Sequence, residues 1–199
     1  IFKRSLGELW REFESASREP VVAASAKVKR LTEDGFGVAG PRLAADGRLY
    51  YSVVNPNGFP ALLVREPGAT ESRKVTNRYL GTNVGFAGSE IVFDQMEIEH
   101  QVGLQSDLYA VAASGGHSRR LTHGARAADP DVSPDGRVIV CTTLRVDRRE
   151  LALLDVAAAS TRPVPTPLVS QPGVHFFSPR WSPDGRRIVH AAMRIGSGV

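Results

Sequence analysis

The sequence has little of what builds a disulfide framework or a membrane span. It holds one cysteine in 199 residues, Cys141, so it cannot form an internal disulfide. It contains no apolar run of about 18 residues, the length that indicates a transmembrane helix, and we predict no membrane span in this chain. Cys141 lies in a short apolar stretch, where we expect a buried and unreactive thiol.

Common catalytic motifs are missing as well. The five histidines form no His-Glu-x-x-His pattern, no Gly-x-Ser-x-Gly elbow is present, and no glycine-rich phosphate loop is found. Asp129 and Asp131 could offer two carboxylates to a hard cation, but calcium takes about six to eight oxygen ligands. We therefore predict no catalytic residue, no metal site, no cofactor and no enzymatic activity for this chain.

The charge balance is mildly basic, with a net charge of +4 and a pI of about 9.6. The arginines are dispersed through turns and repeated positions, and their densest group is Arg145, Arg148 and Arg149. A nucleic-acid surface typically interleaves basic residues with exposed aromatic ones. This pattern is absent, so we predict solvated or structural arginines and no nucleic-acid partner.

What the sequence does have is a repeated turn. Residues 133–137 and 182–186 both read Ser-Pro-Asp-Gly-Arg, residues 44–48 read Ala-Ala-Asp-Gly-Arg, and each is followed by a short apolar run. Proline presets φ for the second turn position, and glycine accepts the left-handed conformation that closes a hairpin. We assign a structural turn role to Asp46, Gly47, Asp135, Gly136, Asp184 and Gly185.

The spacing of these turns defines a repeating unit. A weaker copy lies at 86–93, so the turn glycines Gly47, Gly88, Gly136 and Gly185 are 41, 48 and 49 residues apart. A basic, apolar, threonine pattern recurs at 28–32, 73–76 and 119–122. Four short strands per unit of about 40–50 residues are typical of a propeller blade. We predict an all-β fold over residues 28–199, a partial β-propeller of about three to four four-stranded blades.

The first 20 residues follow a different pattern. Their apolar residues recur at helical spacing, Ser5 and Glu8 form a capping-box pair, and Pro20 ends the segment. We predict an amphipathic helix over 1–20 and a linker over 21–27. The helix either docks on the first blade or is the tail of an upstream domain. At the other end the fourth unit is incomplete, and we expect the native protein to continue beyond Val199.

Two stretches, 107–122 and 177–185, resemble the TolB-type, WD-like propeller repeat. The resemblance extends over about residues 28–190, although Ala44 and Ala45 replace Ser-Pro in the first unit and the second unit lacks the Asp-Gly pair. It implies a periplasmic or otherwise extracytoplasmic bacterial protein. Residues 6–13 are similar to the closing helix of gluzincin-type metallopeptidase domains that precede such propellers. This second likeness would place a zinc site upstream and carries no catalytic residue onto this chain.

Three functions remain open from the sequence. The first is a non-catalytic propeller that binds a protein or peptide, or scaffolds an adjacent domain, in the bacterial envelope. The second is the accessory propeller of a secreted or membrane-tethered metallopeptidase, and the third is the propeller of a prolyl-oligopeptidase-like serine hydrolase. Loops of such folds carry recognition, and the candidate partner-binding residues are Asn55, Asn57, Phe59, Gln95, Glu97, Glu99, His100 and Gln105.

Overall fold

The computed structural model describes residues 4–17, 30–32, 37–81, 83–99, 103–157 and 163–195. The chain divides into two compact units, residues 1–33 and residues 34–199. The predicted linker over 21–27 and the candidate residue His100 lie outside the described residues. In the described part of the chain, no helix has both the length and the apolar character needed to cross a membrane.

The described part of the first unit contains the helix α1 (Leu6–Ser17). The predicted capping box forms at its start: the amide of Ser5 donates to Glu8 Oε2 at 2.8 Å, and the amide of Glu8 donates to Ser5 Oγ at 3.3 Å. These bonds satisfy backbone donors that the first turn leaves unpaired. The apolar side chains of Leu6, Trp10 and Phe13 are exposed.

The second unit consists of antiparallel strands in the predicted repeat order. The first blade contains β1 (Gly37–Leu43), β2 (Leu49–Val54), β3 (Ala61–Arg65) and β4 (Arg73–Asn77). The second blade contains β5 (Val84–Ala87), β6 (Glu90–Glu99), β7 (Gly103–Ala112) and β8 (Arg119–Arg120). In each blade the strands pair in sequence order.

The third blade contains β9 (Ala127–Val132), β10 (Val138–Leu144), β11 (Arg149–Asp155) and β12 (Thr166–Val169). A fourth unit contributes the hairpin of β13 (Val174–Trp181) and β14 (Ile188–Arg194). One parallel bridge, between Arg149 and His175, joins β13 to β11. The fold prediction is confirmed: the unit is a partial β-propeller. Residues 30–32 of the first basic, apolar, threonine pattern are not in a strand.

The repeated turns close the hairpins in the expected way. Gly47, Gly136 and Gly185 have φ values of 85°, 75° and 68°, in the left-handed region that glycine occupies without strain. The carboxylates of Asp135 and Asp184 accept hydrogen bonds from amides two residues further on, each at 3.1 Å. These aspartates therefore build turns.

Apolar residues of neighbouring blades pack against one another. The cluster between the first and second blades contains Tyr50, Leu62, Val64, Val75, Val84, Ile91, Phe93, Tyr109 and Val111. The cluster between the second and third blades contains Val92, Leu108, Ala110, Leu121, Ala127, Val132, Ile139, Cys141, Ala152 and Leu154. Burial of this apolar surface provides the main driving force for stacking the blades.

Candidate functional site

A groove runs between the first and second blades, with a volume of about 710 Å³. This volume is within the range of small-ligand pockets. Three of the candidate residues line the groove. They are Phe59, in the loop before β3, and Gln95 and Glu97, in β6. Its remaining lining residues are Lys74, Val75, Thr76, Asn77, Tyr79, Met96, Gly116, His117 and Ser118.

One end of the groove carries an exposed aromatic pair. The rings of Phe59 and Tyr79 lie 6.3 Å apart between centroids and are tilted by 40°. Phe59 is 64% exposed and Tyr79 is 38% exposed. Aromatic rings in offset or tilted contact offer a large apolar surface with little conformational freedom to lose on binding. The sequence predicted Phe59 as a contact residue but not Tyr79, which follows β4 after the buried Arg78.

Strand β6 contributes Gln95, Met96 and Glu97 to the lining. Gln95 Nε2 donates to Glu97 Oε1 at 3.1 Å, and Arg120 Nη1 donates to Glu97 Oε2 at 3.2 Å. The hydroxyl of Tyr109 is buried without a hydrogen-bond partner of good geometry among the described residues. Burial, together with the nearby Glu97 carboxylate, raises the pKa of Tyr109 above its ordinary value, so the phenol stays neutral.

The floor of the groove follows the outer edge of β4, which is the edge strand of the first blade. Two backbone hydrogen bonds tie the second blade to this segment. The amide of Gly116 donates to the carbonyl of Val75 at 3.1 Å, and the amide of Met96 donates to the carbonyl of Tyr79 at 2.9 Å. Asn77 lies between these ties and is exposed. The apolar and charge patterns did not single out this edge, because the packing of two blades creates it.

One lining residue of the groove, Lys74, carries a positive charge. The side chain of Lys74 is exposed, and in the described part of the chain no carboxylate lies within ion-pair distance of it. Glu97, the acidic residue of the lining, is already paired with Arg120. The groove therefore presents one uncompensated positive charge.

The candidate residues Asn55, Asn57 and Gln105 are not among the lining residues of this groove. Asn55 and Asn57 form a turn in which the amide of Asn57 donates to Asn55 Oδ1 at 2.8 Å. Gln105 lies opposite Glu97 in the long hairpin of β6 and β7, and Glu99 ends β6 opposite Gly103. Their roles as partner contacts remain predictions.

A second polar cluster lies where the innermost strands of the blades meet. Gly40, Asp129 and Ser178 each precede a proline and have φ values of 61°, 55° and 46°. The strand register shifts at each of these places, which is the property of a β-bulge. The sequence showed the three prolines but not this shared bulge.

The charges of that cluster are paired with one another. Arg42 Nη2 contacts Asp131 Oδ1 at 2.6 Å, and the amide of Trp181 donates to Asp131 Oδ2 at 2.8 Å. Asn83 Nδ2 donates to Asp129 Oδ1 at 2.7 Å. Thus Asp129 and Asp131, the two carboxylates considered for a cation, bind protein donors. Among the described residues no group of three or more His, Cys, Asp or Glu side chains is arranged to hold a metal ion.

The Cys141 thiol lies away from solvent. Cys141 is fully buried in the cluster between the second and third blades. Burial raises the pKa of Cys141 to about 12. A thiolate is the reactive form of cysteine, so the expectation of a buried and unreactive thiol agrees with this geometry.

Solved structures with a similar fold include two TolB proteins. TolB from Agrobacterium tumefaciens matches with a TM-score of 0.63 and 23% identity, over 76% of this chain and 53% of that one. TolB from Acinetobacter baumannii matches with a TM-score of 0.58 and 19% identity, over 78% of this chain and 40% of that one. The chain thus spans about half the length of these proteins or less.

A puromycin hydrolase also matches, with a TM-score of 0.53 and 22% identity, over 79% of this chain and 27% of the hydrolase. No protein-family profile and no curated protein sequence matches the chain. At these identities the likeness is one of fold. It confirms the propeller that the repeats predicted and the TolB-type resemblance of residues 107–122 and 177–185.

Proposed function

We propose that this propeller is a non-catalytic binding module that takes a peptide segment of a partner protein into the groove between its first two blades. The observation that carries the proposal is the exposed pair of Phe59 and Tyr79 at the end of a groove that also offers hydrogen-bonding groups. Exposed aromatic residues are enriched at the centres of protein interfaces. Phe59 lies two residues before β3 and Tyr79 two residues after β4, and their ring contact limits the order that has to be gained on binding.

The groove combines three kinds of contact that a peptide requires. The aromatic pair can cover an apolar side chain, Gln95 can bond a backbone amide, and Lys74 can pair with a carboxylate. Such a combination of an apolar patch with a few placed polar groups supports selective recognition. The puromycin hydrolase and TolB likenesses are compatible with this role, because propellers are found in proteins of different function.

The test is a selection of peptides displayed on phage against the immobilised 199-residue protein, followed by binding measurements with the selected peptides. We expect Phe59→Ala and Tyr79→Ala each to weaken binding by about tenfold or more, the range of an interface hot spot. Val146→Ala removes a fully exposed apolar side chain from a loop of the third blade, away from the groove, and is the control. Selected peptides that bind both groove variants as tightly as the parent would refute the proposal.

We also propose that the protein works outside the cytoplasm of a bacterium, where scaffolding of an envelope partner would take place. The support is the fold that it shares with TolB from two bacteria. Fractionation of the native cells, with an antibody against this chain, tests it. Recovery of the protein with the cytoplasmic markers would contradict the location without affecting the peptide groove.

The role of an accessory propeller in a hydrolase is a second candidate, favoured by the fold match to puromycin hydrolase. The peptide groove would then lie next to a catalytic domain of the same polypeptide and would guide its substrate. The complete reading frame tests this candidate. A His-Glu-x-x-His motif upstream supports the metallopeptidase form, a Gly-x-Ser-x-Gly motif downstream supports the serine hydrolase form, and a frame with neither excludes both.

A further inference from the structure

The pairing of β4 with β3 determines which peptide groups face the groove. The amide of Arg78 donates to the carbonyl of Pro60 at 2.9 Å, and the next pair in register is Ala61 with Asn77. In an antiparallel ladder, a bond between the two flanking residues identifies the enclosed pair as a non-hydrogen-bonded one. The N–H and C=O groups of Asn77 therefore point away from β3, toward the outer edge of the sheet.

Asn77 is the residue of that edge to which the second blade makes no backbone hydrogen bond. Two residues before it, the carbonyl of Val75 accepts the amide of Gly116, and two residues after it, the carbonyl of Tyr79 accepts the amide of Met96. In the described chain, no group bonds the peptide N–H or C=O of Asn77. An edge residue with a free donor and a free acceptor is a template for one residue of another strand.

We propose that the groove recognises an extended peptide through a single antiparallel β-bridge to Asn77. This inference rests on the proposed peptide-binding function and specifies its mode. One residue of the peptide donates its N–H to the Asn77 carbonyl and accepts the Asn77 N–H at its own carbonyl. The backbones of Gly116 and Met96 already occupy the edge at Val75 and Tyr79. The peptide therefore pairs at one residue only and bends away from the edge into the groove on either side of it, where its side chains supply the selectivity.

The lining then sets which side chains the peptide carries. Antiparallel pairing is the more stable arrangement, and it places the N-terminal part of the peptide toward Tyr79 and the C-terminal part toward Lys74. A large apolar or aromatic residue about two positions before the bridging residue reaches Phe59 and Tyr79. An acidic residue about three positions after it reaches Lys74, the unpaired cation of the groove.

The probe is a synthetic peptide with that pattern, acetyl-Phe-Thr-Val-Thr-Thr-Glu-amide, in which valine is the bridging residue. N-methylation of the valine removes the bridging donor, and we expect about tenfold weaker binding to the 199-residue protein. N-methylation of the threonine that follows valine alters an amide on the other side of the strand and is the matched control, with less than about threefold change. In hydrogen-exchange NMR, the Asn77 amide becomes protected when the parent peptide is bound.

A charge exchange tests the proposed direction of the peptide. Lys74→Glu weakens binding of the parent peptide, and a peptide ending in lysine in place of glutamate restores it. If the threonine-methylated and valine-methylated peptides bind equally, or the Asn77 amide is not protected, the bridge is wrong. The peptide-binding function survives that result if Phe59→Ala still weakens the selected peptides. If the probe does not bind at about millimolar concentration, the inferred side-chain pattern is overturned.

Discussion

Asn83 Nδ2 donates a hydrogen bond of 2.7 Å to Asp129 Oδ1 across the interface of the second and third blades. The two residues are 46 positions apart in sequence, and both are buried. The Oδ1 atom of Asn83 accepts a hydrogen bond from Arg180 of the fourth unit. One amide side chain therefore ties three consecutive repeats together at their innermost strands.

Removal of the Asn83 side-chain amide should weaken the packing of the blades and so destabilise the protein. We expect Asn83→Ala to lower the free energy of unfolding by about 1–3 kcal/mol, because it leaves a buried acceptor on Asp129 and a donor on Arg180 without a partner. Urea denaturation followed by fluorescence measures the change. Asn57→Ala, in an exposed turn, should stay within about 0.5 kcal/mol. Equal effects of the two substitutions would show that the tie contributes nothing.

Among these substitutions, we expect replacement of the buried Arg78 to lower the free energy of unfolding most. Its side chain is fully buried, pairs with Asp94 of the second blade, and donates to Ser52 Oγ of the first blade at 2.7 Å. Burial lowers the pKa of Arg78, although the Asp94 carboxylate opposes this effect. Arg78→Met leaves the carboxylate buried and unpaired, and we expect a loss of about 3–5 kcal/mol of unfolding free energy.

A double-mutant cycle separates this ion pair from simple loss of packing. In the Arg78→Met background, Asp94→Asn should cost much less than in the parent protein, or even stabilise it, because the unpaired charge is removed. The exposed Arg137→Met is the control for loss of an arginine. Strictly additive effects of the two core substitutions would contradict the interaction.

The repeats could be predicted from sequence because they are encoded locally. A turn such as 133–137 carries its own proline, aspartate and glycine, so hairpins and their spacing were visible without any tertiary information. The helix over α1 was visible for the same reason, through the pair of Ser5 and Glu8. Within the predicted bounds of 1–20 the described helix covers Leu6–Ser17, and residues 1–3 and 18–20 lie outside the described part of the chain.

The groove and the polar cluster around Asn83, Asp129 and Arg180 could not be predicted in the same way. Arg180 and Asn83 are 97 residues apart, and neither local sequence indicates that the two residues are in contact. Phe59 was predicted from its loop, but the edge at Asn77 exists because β4 is the outer strand of one blade and faces another. Such features depend on register and blade stacking, which follow from long-range packing.

The acid stability of the third blade should depend on Glu150. This buried carboxylate accepts hydrogen bonds from Ser170 Oγ at 2.7 Å, Arg145 Nε at 3.0 Å and Arg148 Nε at 3.1 Å. Burial alone would raise the pKa of Glu150, but these three donors outweigh it and hold the pKa below the ordinary value of 4.5. The contribution of Glu150 to stability is therefore present above pH 4.5 and is lost as the pH falls through the lower, folded-state pKa.

Glu150→Gln should lower stability at neutral pH and reduce the loss of stability on acidification below about pH 4.5. Urea denaturation at a series of pH values measures both effects. Ser170→Ala removes one of the three donors and should give an intermediate acid slope. An acid slope of the Glu150→Gln protein equal to that of the parent would contradict the assignment.

The close approach of β5 to β9 depends on Gly85. A Cβ atom at Gly85 would lie 2.8 Å from both the amide nitrogen and Cγ2 of Val132, and 3.1 Å from Cα of Asp131. Two of these three atoms belong to the backbone of β9, so the strand itself has to move to make room. We expect Gly85→Ala to lower the free energy of unfolding by about 1–3 kcal/mol, the usual cost of overpacking. Gly58→Ala is the matched control, because a Cβ atom at Gly58 meets nothing within 4 Å. If both alanine variants unfold at the same urea concentration as the parent, the second and third blades are less tightly packed than this contact indicates.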